Sequence, residues 1–279
     1  MLALASAGCG SGDAVAPAQS DPSTIFGLRT SLPIAWAESE DIRSLIANKA
    51  APHWAMEALR ARGEVVPLDT LAGPGGTLPL PPAAVLVLAQ PQPLTPRENL
   101  ALDTWVRAGG RVLLFADPML TAPSIFALGD PRRPQDVALL SPILARWGLV
   151  LEFDEDQPAG PRPATFEGTA IPVDLAGRFR ASGKSGDGPP RCRMLAGGVL
   201  AECGVGRGRV LAVADAALLD AATEVADRQA RAALLGRLLA RVAADGASGI
   251  GRDRPGTIGD ERGYLISPRE SAEKQEFAQ

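Results

Sequence analysis

The side chains able to do chemistry are few in this sequence and lie far apart along it. His53 is the single histidine, so a Ser–His–Asp or Cys–His arrangement has one available base and a metal site built on several imidazoles is excluded. No nucleophile motif accompanies it: Gly-x-Ser-x-Gly is absent, and no cysteine follows a buried strand on a sharp turn. A partly exposed helix residue just after Pro52 is the expected role. Carboxylates are the other candidates. In an open parallel sheet, ligands meet the carboxyl ends of the strands, and the groups that follow the predicted strands are Trp36, Glu38, Gln90, Asp117 and Asp215. Gathered at one rim, they would line a crevice with three carboxylates and an amide. Such a crevice could recognise a small polar ligand or a protein, or run acid–base or metal-assisted hydrolysis. The competing reading is that an Asp after a strand caps the next turn through its side-chain oxygen; for Asp117 and Asp215 the cap is favoured.

Three further groups complete the inventory. Arg132 and Arg133, in a Pro- and Gly-punctuated loop, could meet an anionic group, although a solvated loop is the commoner role. The glycines of Gly204-Val-Gly-Arg-Gly208 fall in a hairpin turn and not before a helix, so they lack the context of a phosphate cradle. Cys192 and Cys203 lack metal-ligand spacing; they form either a cross-strand disulfide or two buried thiols. No cofactor and no metal is expected.

These groups must be positioned by alternating strands and helices. A first strand covers Thr24–Arg29, and Pro33 excludes a regular central strand after it. Helical spacing runs over Asp41–Arg62, divided by Pro52 and stopped by Gly63. Glu64–Leu68 is a second strand, and Val85–Ala89 is a continuous apolar run of the kind covered on both faces. Thr95-Pro-Arg-Glu98 has the form of a capping box with Pro at the first helical position. The helix it opens runs to Gly109-Gly110 and leads into a strand over Arg111–Asp117. Strand, helix, strand makes a βαβ unit with a right-handed crossover. A helix over Val137–Trp147 and a strand over Leu149–Phe153 follow, then short strand candidates over Thr165–Phe179. Gly197-Gly198 reads as a two-residue turn pairing Leu195 with Leu200, Arg193 with Glu202 and Cys192 with Cys203, at a Cα separation of roughly 5.5 Å for a hydrogen-bonded pair. A strand over Arg209–Asp215 and a last helix over Asp227–Ala244 close the domain. One α/β domain over 24–244 is expected, between a tether (1–23) and a disordered tail (245–279).

Composition narrows the partners. The chain has 28 Lys and Arg against 32 Asp and Glu, without a dense basic cluster, and one Tyr, seven Phe and four Trp, so nucleic acid is not an expected partner. Met1-Leu-Ala-Leu-Ala-Ser-Ala-Gly-Cys9 reads as the end of a signal peptide before a lipidation cysteine, and is similar to a bacterial lipoprotein box. It lacks a charged leading region, its apolar segment is short, and Ser6 stands where such boxes carry Leu. The expectation is a periplasmic lipoprotein anchored through Cys9.

Two segments carry a resemblance. Leu102-Asp-Thr-Trp-Val-Arg-Ala-Gly-Gly-Arg-Val-Leu-Leu-Phe-Ala-Asp-Pro118 resembles the helix, Gly-Gly, strand, Asp-Pro segment of GldG-like ABC-transporter auxiliary domains. Gly206-Arg-Gly-Arg-Val-Leu-Ala-Val-Ala-Asp215 with the leucine-rich helix after it is similar to their closing pattern. Those domains have the class I glutamine amidotransferase-like fold. The resemblance implies a flavodoxin-like, mostly parallel sheet flanked by helices, with a C-terminal antiparallel hairpin. It further implies a non-catalytic binding or scaffolding role in the cell envelope, with an ABC permease and ATPase as partner chains. The amidotransferase cysteine is not matched: Phe115-Ala-Asp-Pro-Met119 follows the strand, and no histidine lies downstream. The alternative is a hydrolase using Glu38, Asp117 and Asp215.

Overall fold

The computed structural model describes residues 24–38, 52–182 and 191–244. Cys9, the tether, the tail and the front part of the Asp41–Arg62 helix lie outside them. Seven strands form the main sheet in the order β2-β1-β3-β4-β11-β10-β9. Its parallel part comprises β1 (Thr24–Thr30), β2 (Gly63–Pro67), β3 (Val85–Ala89), β4 (Arg111–Phe115) and β11 (Gly208–Val213). With β11 in the fifth place this is the 2-1-3-4-5 order of flavodoxin-like sheets, whose direction of winding switches between β1 and β3. The strands β10 (Leu200–Val205) and β9 (Arg191–Leu195) extend the sheet in antiparallel pairs.

Both faces of a parallel sheet must be covered, which is why β3 and β4 read as unbroken apolar runs. Phe26, Val87, Leu113 and Leu211 pack on one face against helices α1 (Trp54–Arg60) and α4 (Val225–Ala243). Leu86, Leu88, Val112 and Val210 pack on the other against α2 (Pro96–Arg107) and α3 (Ser141–Arg146). The α2 capping box is complete: the Glu98 N–H donates to Thr95 Oγ1 at 3.2 Å, and the Thr95 N–H donates back to Glu98 Oε2 at 3.0 Å. Glu98 also accepts the Leu71 N–H at 3.1 Å, so one carboxylate starts the helix and fixes the loop after β2.

Several boundaries differ from the sequence reading. The third helix begins at Ser141 and not at Val137, because Pro142 belongs in the first turn, where its missing N–H costs nothing. The strand β5 (Leu149–Glu152) leaves the main sheet and pairs antiparallel with β8 (Arg178–Ala181). The strands β6 (Arg162–Phe166) and β7 (Thr169–Val173) form a separate hairpin. The register at β9–β10 has Leu195 opposite Leu200, Arg193 opposite Glu202 and Cys192 opposite Cys203. Its turn, however, uses four residues, with Ala196, Gly197 and Gly198 at positive φ, in place of a two-residue turn. Cys192 and Cys203 are disulfide-bonded with Cα atoms 4.1 Å apart, the spacing of a narrow, non-hydrogen-bonded pair and not of the wide pair expected.

Glu202 joins this hairpin to the last helix. It is buried on the α4 face and meets Arg193 at 2.8 Å and Arg241 at 2.9 Å, which hold its carboxyl below the usual range against the opposing effect of burial. At the start of β11 the backbone passes so close to the end of α2 that a Cβ on Gly208 would lie 2.0 Å from the Val106 carbonyl oxygen and 2.4 Å from that of Gly110. Gly208→Ala is therefore expected to destabilise the fold by at least ~2 kcal/mol, read as a lower urea midpoint at constant slope. An unchanged midpoint would show that β11 has room to move off α2.

Candidate functional site

The parallel strands all point their carboxyl ends at one rim, and the polar groups there form a chain of ties running across it. After β1, the Ser31 hydroxyl donates to the Gln90 carbonyl and accepts the Gln135 N–H at 2.9 Å. After β3, Gln90 turns with φ 45° and places its side-chain amide against the exit of β4. Its Nε2 donates to the carbonyls of Asp117 (2.9 Å) and Gln135 (2.8 Å), and its Oε1 accepts the Asp117 N–H at 2.8 Å. After β4, Asp117 accepts the N–H of Met119 at 2.8 Å and of Ala216 at 3.0 Å. After β11, Asp215 accepts the N–H of Ala217 at 2.6 Å and of Asp174, at the end of β7, at 2.8 Å. Each Asp thus makes an Asx turn with the residue two places on and one tie to a different segment.

This arrangement seals the rim. Gln90, Asp117 and Asp215 are each at most 1% exposed. Among the described residues no open crevice is left at these three groups, because the segment between β4 and α3 folds back over them. The Ala138 N–H donates to the Asp117 carbonyl at 2.8 Å and the Leu120 N–H to Asp136 at 2.9 Å, closing the loop at its base. Backbone groups of Gln135 then cap Ser31 and Gln90. Glu38 and Trp36 hold the far end: Glu38 accepts from the Ser124 hydroxyl at 2.7 Å and the Ile125 N–H at 2.9 Å, and Trp36 packs 6.4 Å from Phe126. Arg132 lies 4.2 Å over the Phe126 ring and pairs with Asp130, while Arg133 pairs with Asp136 and donates to the Phe126 carbonyl. The seven candidate residues therefore form two groups, a buried set at the strand ends and an outer set that holds the loop. On its outer side the loop exposes Met119, Ile125, Val137, Leu139 and above all Leu128, at 80%.

The electrostatics follow from burial. Loss of solvent, then the neighbouring Asp117 carboxylate, push Asp215 up to about 8, against the pull of its two N–H donors. Burial raises Asp117 to about 6, with Asp220 and Asp174 adding to the rise. Asp220 is likewise raised to about 6 by burial, opposed by Arg231. Asp174 and Asp220 were not singled out from sequence, since both lie in irregular segments with no motif around them. Among the described residues, no group of three or more His, Cys, Asp or Glu side chains is placed to share a metal ion.

His53 is the N-cap of α1 and not a residue within the helix. Its Nδ1 accepts the Ala55 N–H at 3.2 Å, which caps the first turn. Burial, then Arg231, lower it to about 4.

No family model and no curated protein matches the chain. Among solved structures it is similar to the exo-β-1,4-mannosidase Op5Man5 from Opitutaceae bacterium strain TAV5 (15% identity, TM-score 0.46, 81% of this chain and 37% of that one). A cytoplasmic protein of Salmonella typhimurium LT2 matches at 11% identity and TM-score 0.41, over 78% of this chain and 98% of that one. A ThuA-like protein from Parabacteroides merdae ATCC 43184 matches at 11% identity and TM-score 0.34, over 84% and 95%. The chain spans about a third of the length of the glycosidases it matches. Likeness at this level concerns the course of the chain and transfers no chemistry.

The pH dependence of stability isolates Asp215. Its folded pKa exceeds the unfolded value, so its stabilising contribution is complete below about 4 and is lost as pH rises through about 8. His53 acts in the opposite sense, losing stability as pH falls from 6.5 towards 4, and is neutral in both states above 6.5. The melting temperature is therefore expected to fall between pH 6.5 and 8.5, and Asp215→Asn to flatten that fall. An equally steep fall in the variant would contradict this assignment.

Proposed function

We propose that the chain is a non-catalytic binding or scaffolding domain of the bacterial cell envelope, accessory to an ABC-type transport system. The observation that carries the non-catalytic part is the use of the rim groups: every oxygen of Asp117 and Asp215 accepts a backbone N–H, and Gln90 is spent on its neighbours. A general acid or base must come within hydrogen-bond reach of a substrate proton, and at 1% exposure neither carboxylate meets solvent or a solvent-borne substrate. His53 is used as the N-cap of α1, its Nδ1 accepting the Ala55 N–H. The Cys192–Cys203 disulfide supports an oxidising compartment such as the periplasm, and anchoring at Cys9 is the matching proposal for its attachment. Contact with partner subunits would use the surface of the 118–140 loop, where apolar side chains stand in solvent beside charges already paired with one another.

One observation favours the hydrolase reading: two adjacent carboxylates are both raised by burial, Asp215 further by the charge of Asp117, the kind of shift that acid–base sites show. The two readings separate in a thermal-shift titration with Mg²⁺, Mn²⁺, Ca²⁺ and Zn²⁺. The scaffolding reading predicts no rise in melting temperature beyond that of an Asp117→Asn, Asp215→Asn double variant. A rise of several degrees with one ion, abolished in the double variant, would establish a metal-assisted site and remove the non-catalytic reading. A photo-crosslinker at position 128 in cells is expected to capture a transport permease; adducts limited to abundant bystanders would count against the transport role.

A further inference from the structure

A concavity lies away from the rim, between the β6–β7 hairpin and α4, with a volume of about 600 Å³. That is the size of a small-molecule site. Its walls are apolar for a stated reason: Pro163 and Pro172 face each other in the hairpin register, so that rung has no N–H to present, and Pro161 extends the wall. On the helix, Ala230 and Ala233 leave a shallow floor above Leu234.

Besides the Arg231–Asp227 pair in the helix wall, the charges are at the two ends. Arg162 opens β6 and is held by neutral oxygens, the Pro158 carbonyl at 2.9 Å and Gln157 Oε1. Arg237 meets the Thr169 hydroxyl at the other end of the hairpin. Neither guanidinium has a carboxylate partner among the described residues, in contrast to Arg231 in the same wall, which pairs with Asp227 at 2.9 Å. Four residue steps along β6 separate the ends, roughly 13 Å at the rise of a strand.

We propose that this groove binds an extended organic dianion, with an aliphatic body along the proline wall and a carboxylate at each end, one on Arg162 and one on Arg237. Charge complementarity selects the occupant, because an uncharged chain would leave both guanidinium groups without a counter-ion and a compact anion would reach only one. A straight chain of about ten carbons spans the distance.

Isothermal titration of the full chain with decanedioate tests this. Saturable binding is expected, weakened about tenfold or more by Arg162→Gln and again by Arg237→Gln, and abolished by Ala233→Trp, which fills the groove from an exposed helix position. All three substitutions are at solvent-accessible sites, and a melting curve for each confirms folding. Decane-1,10-diol is expected not to bind and decanoate to bind more weakly than decanedioate. The proposal is overturned if decanedioate fails to saturate at millimolar concentration, if both arginine variants bind it as well as the parent, or if the diol or decanoate binds equally well.

Discussion

Five strand exits meet at one rim, and the constraint on everything there is that polar groups leaving a parallel sheet must find partners without water. An unpaired buried amide or carboxylate costs a few kcal/mol. The chain meets this with side chains that act as extra backbone. Ser31 ties the exit of β1 to that of β3, Gln90 ties β3 to β4, Asp117 ties β4 to β11, and Asp215 ties β11 to β7. The belt makes the strand ends a sealed structural joint where related architectures keep a crevice.

The long segment between β4 and α3 depends on that belt. Its base closes on Asp117, its returning segment supplies the Gln135 groups that complete Ser31 and Gln90, and Glu38 and Trp36 fix its tip. Having spent its polar groups inwards, the loop turns apolar side chains out. The scaffolding role proposed for the domain rests on this pairing of a sealed rim with an apolar covering loop.

How much of this the sequence discloses depends on distance along the chain. The strands β3 and β4, the capping box at Thr95 and the β9–β10 register were legible because each is written in adjacent residues: an unbroken apolar run, a cap with its Glu three places on, an opposite-charge pair at Arg193 and Glu202. For Asp117 the sequence favours a cap over a ligand but does not reveal the second tie, because that donor, Ala216, is 99 residues away. The same holds for Gln90, whose partner Gln135 lies in a stretch that composition marks only as loop. The departure of β5 from the main sheet had no local sign, since a short apolar run reads alike in either sheet.

Amide hydrogen exchange measured residue by residue tests the sealed rim most directly. The N–H groups of Asp117, Met119, Gln135, Asp174 and Ala216 are predicted to exchange as slowly as those in the central strands β3 and β4, because each is held by a buried acceptor. Exchange at these five positions at the rate of free loops would mean that the rim opens to solvent, and its carboxylates would then be available for chemistry after all.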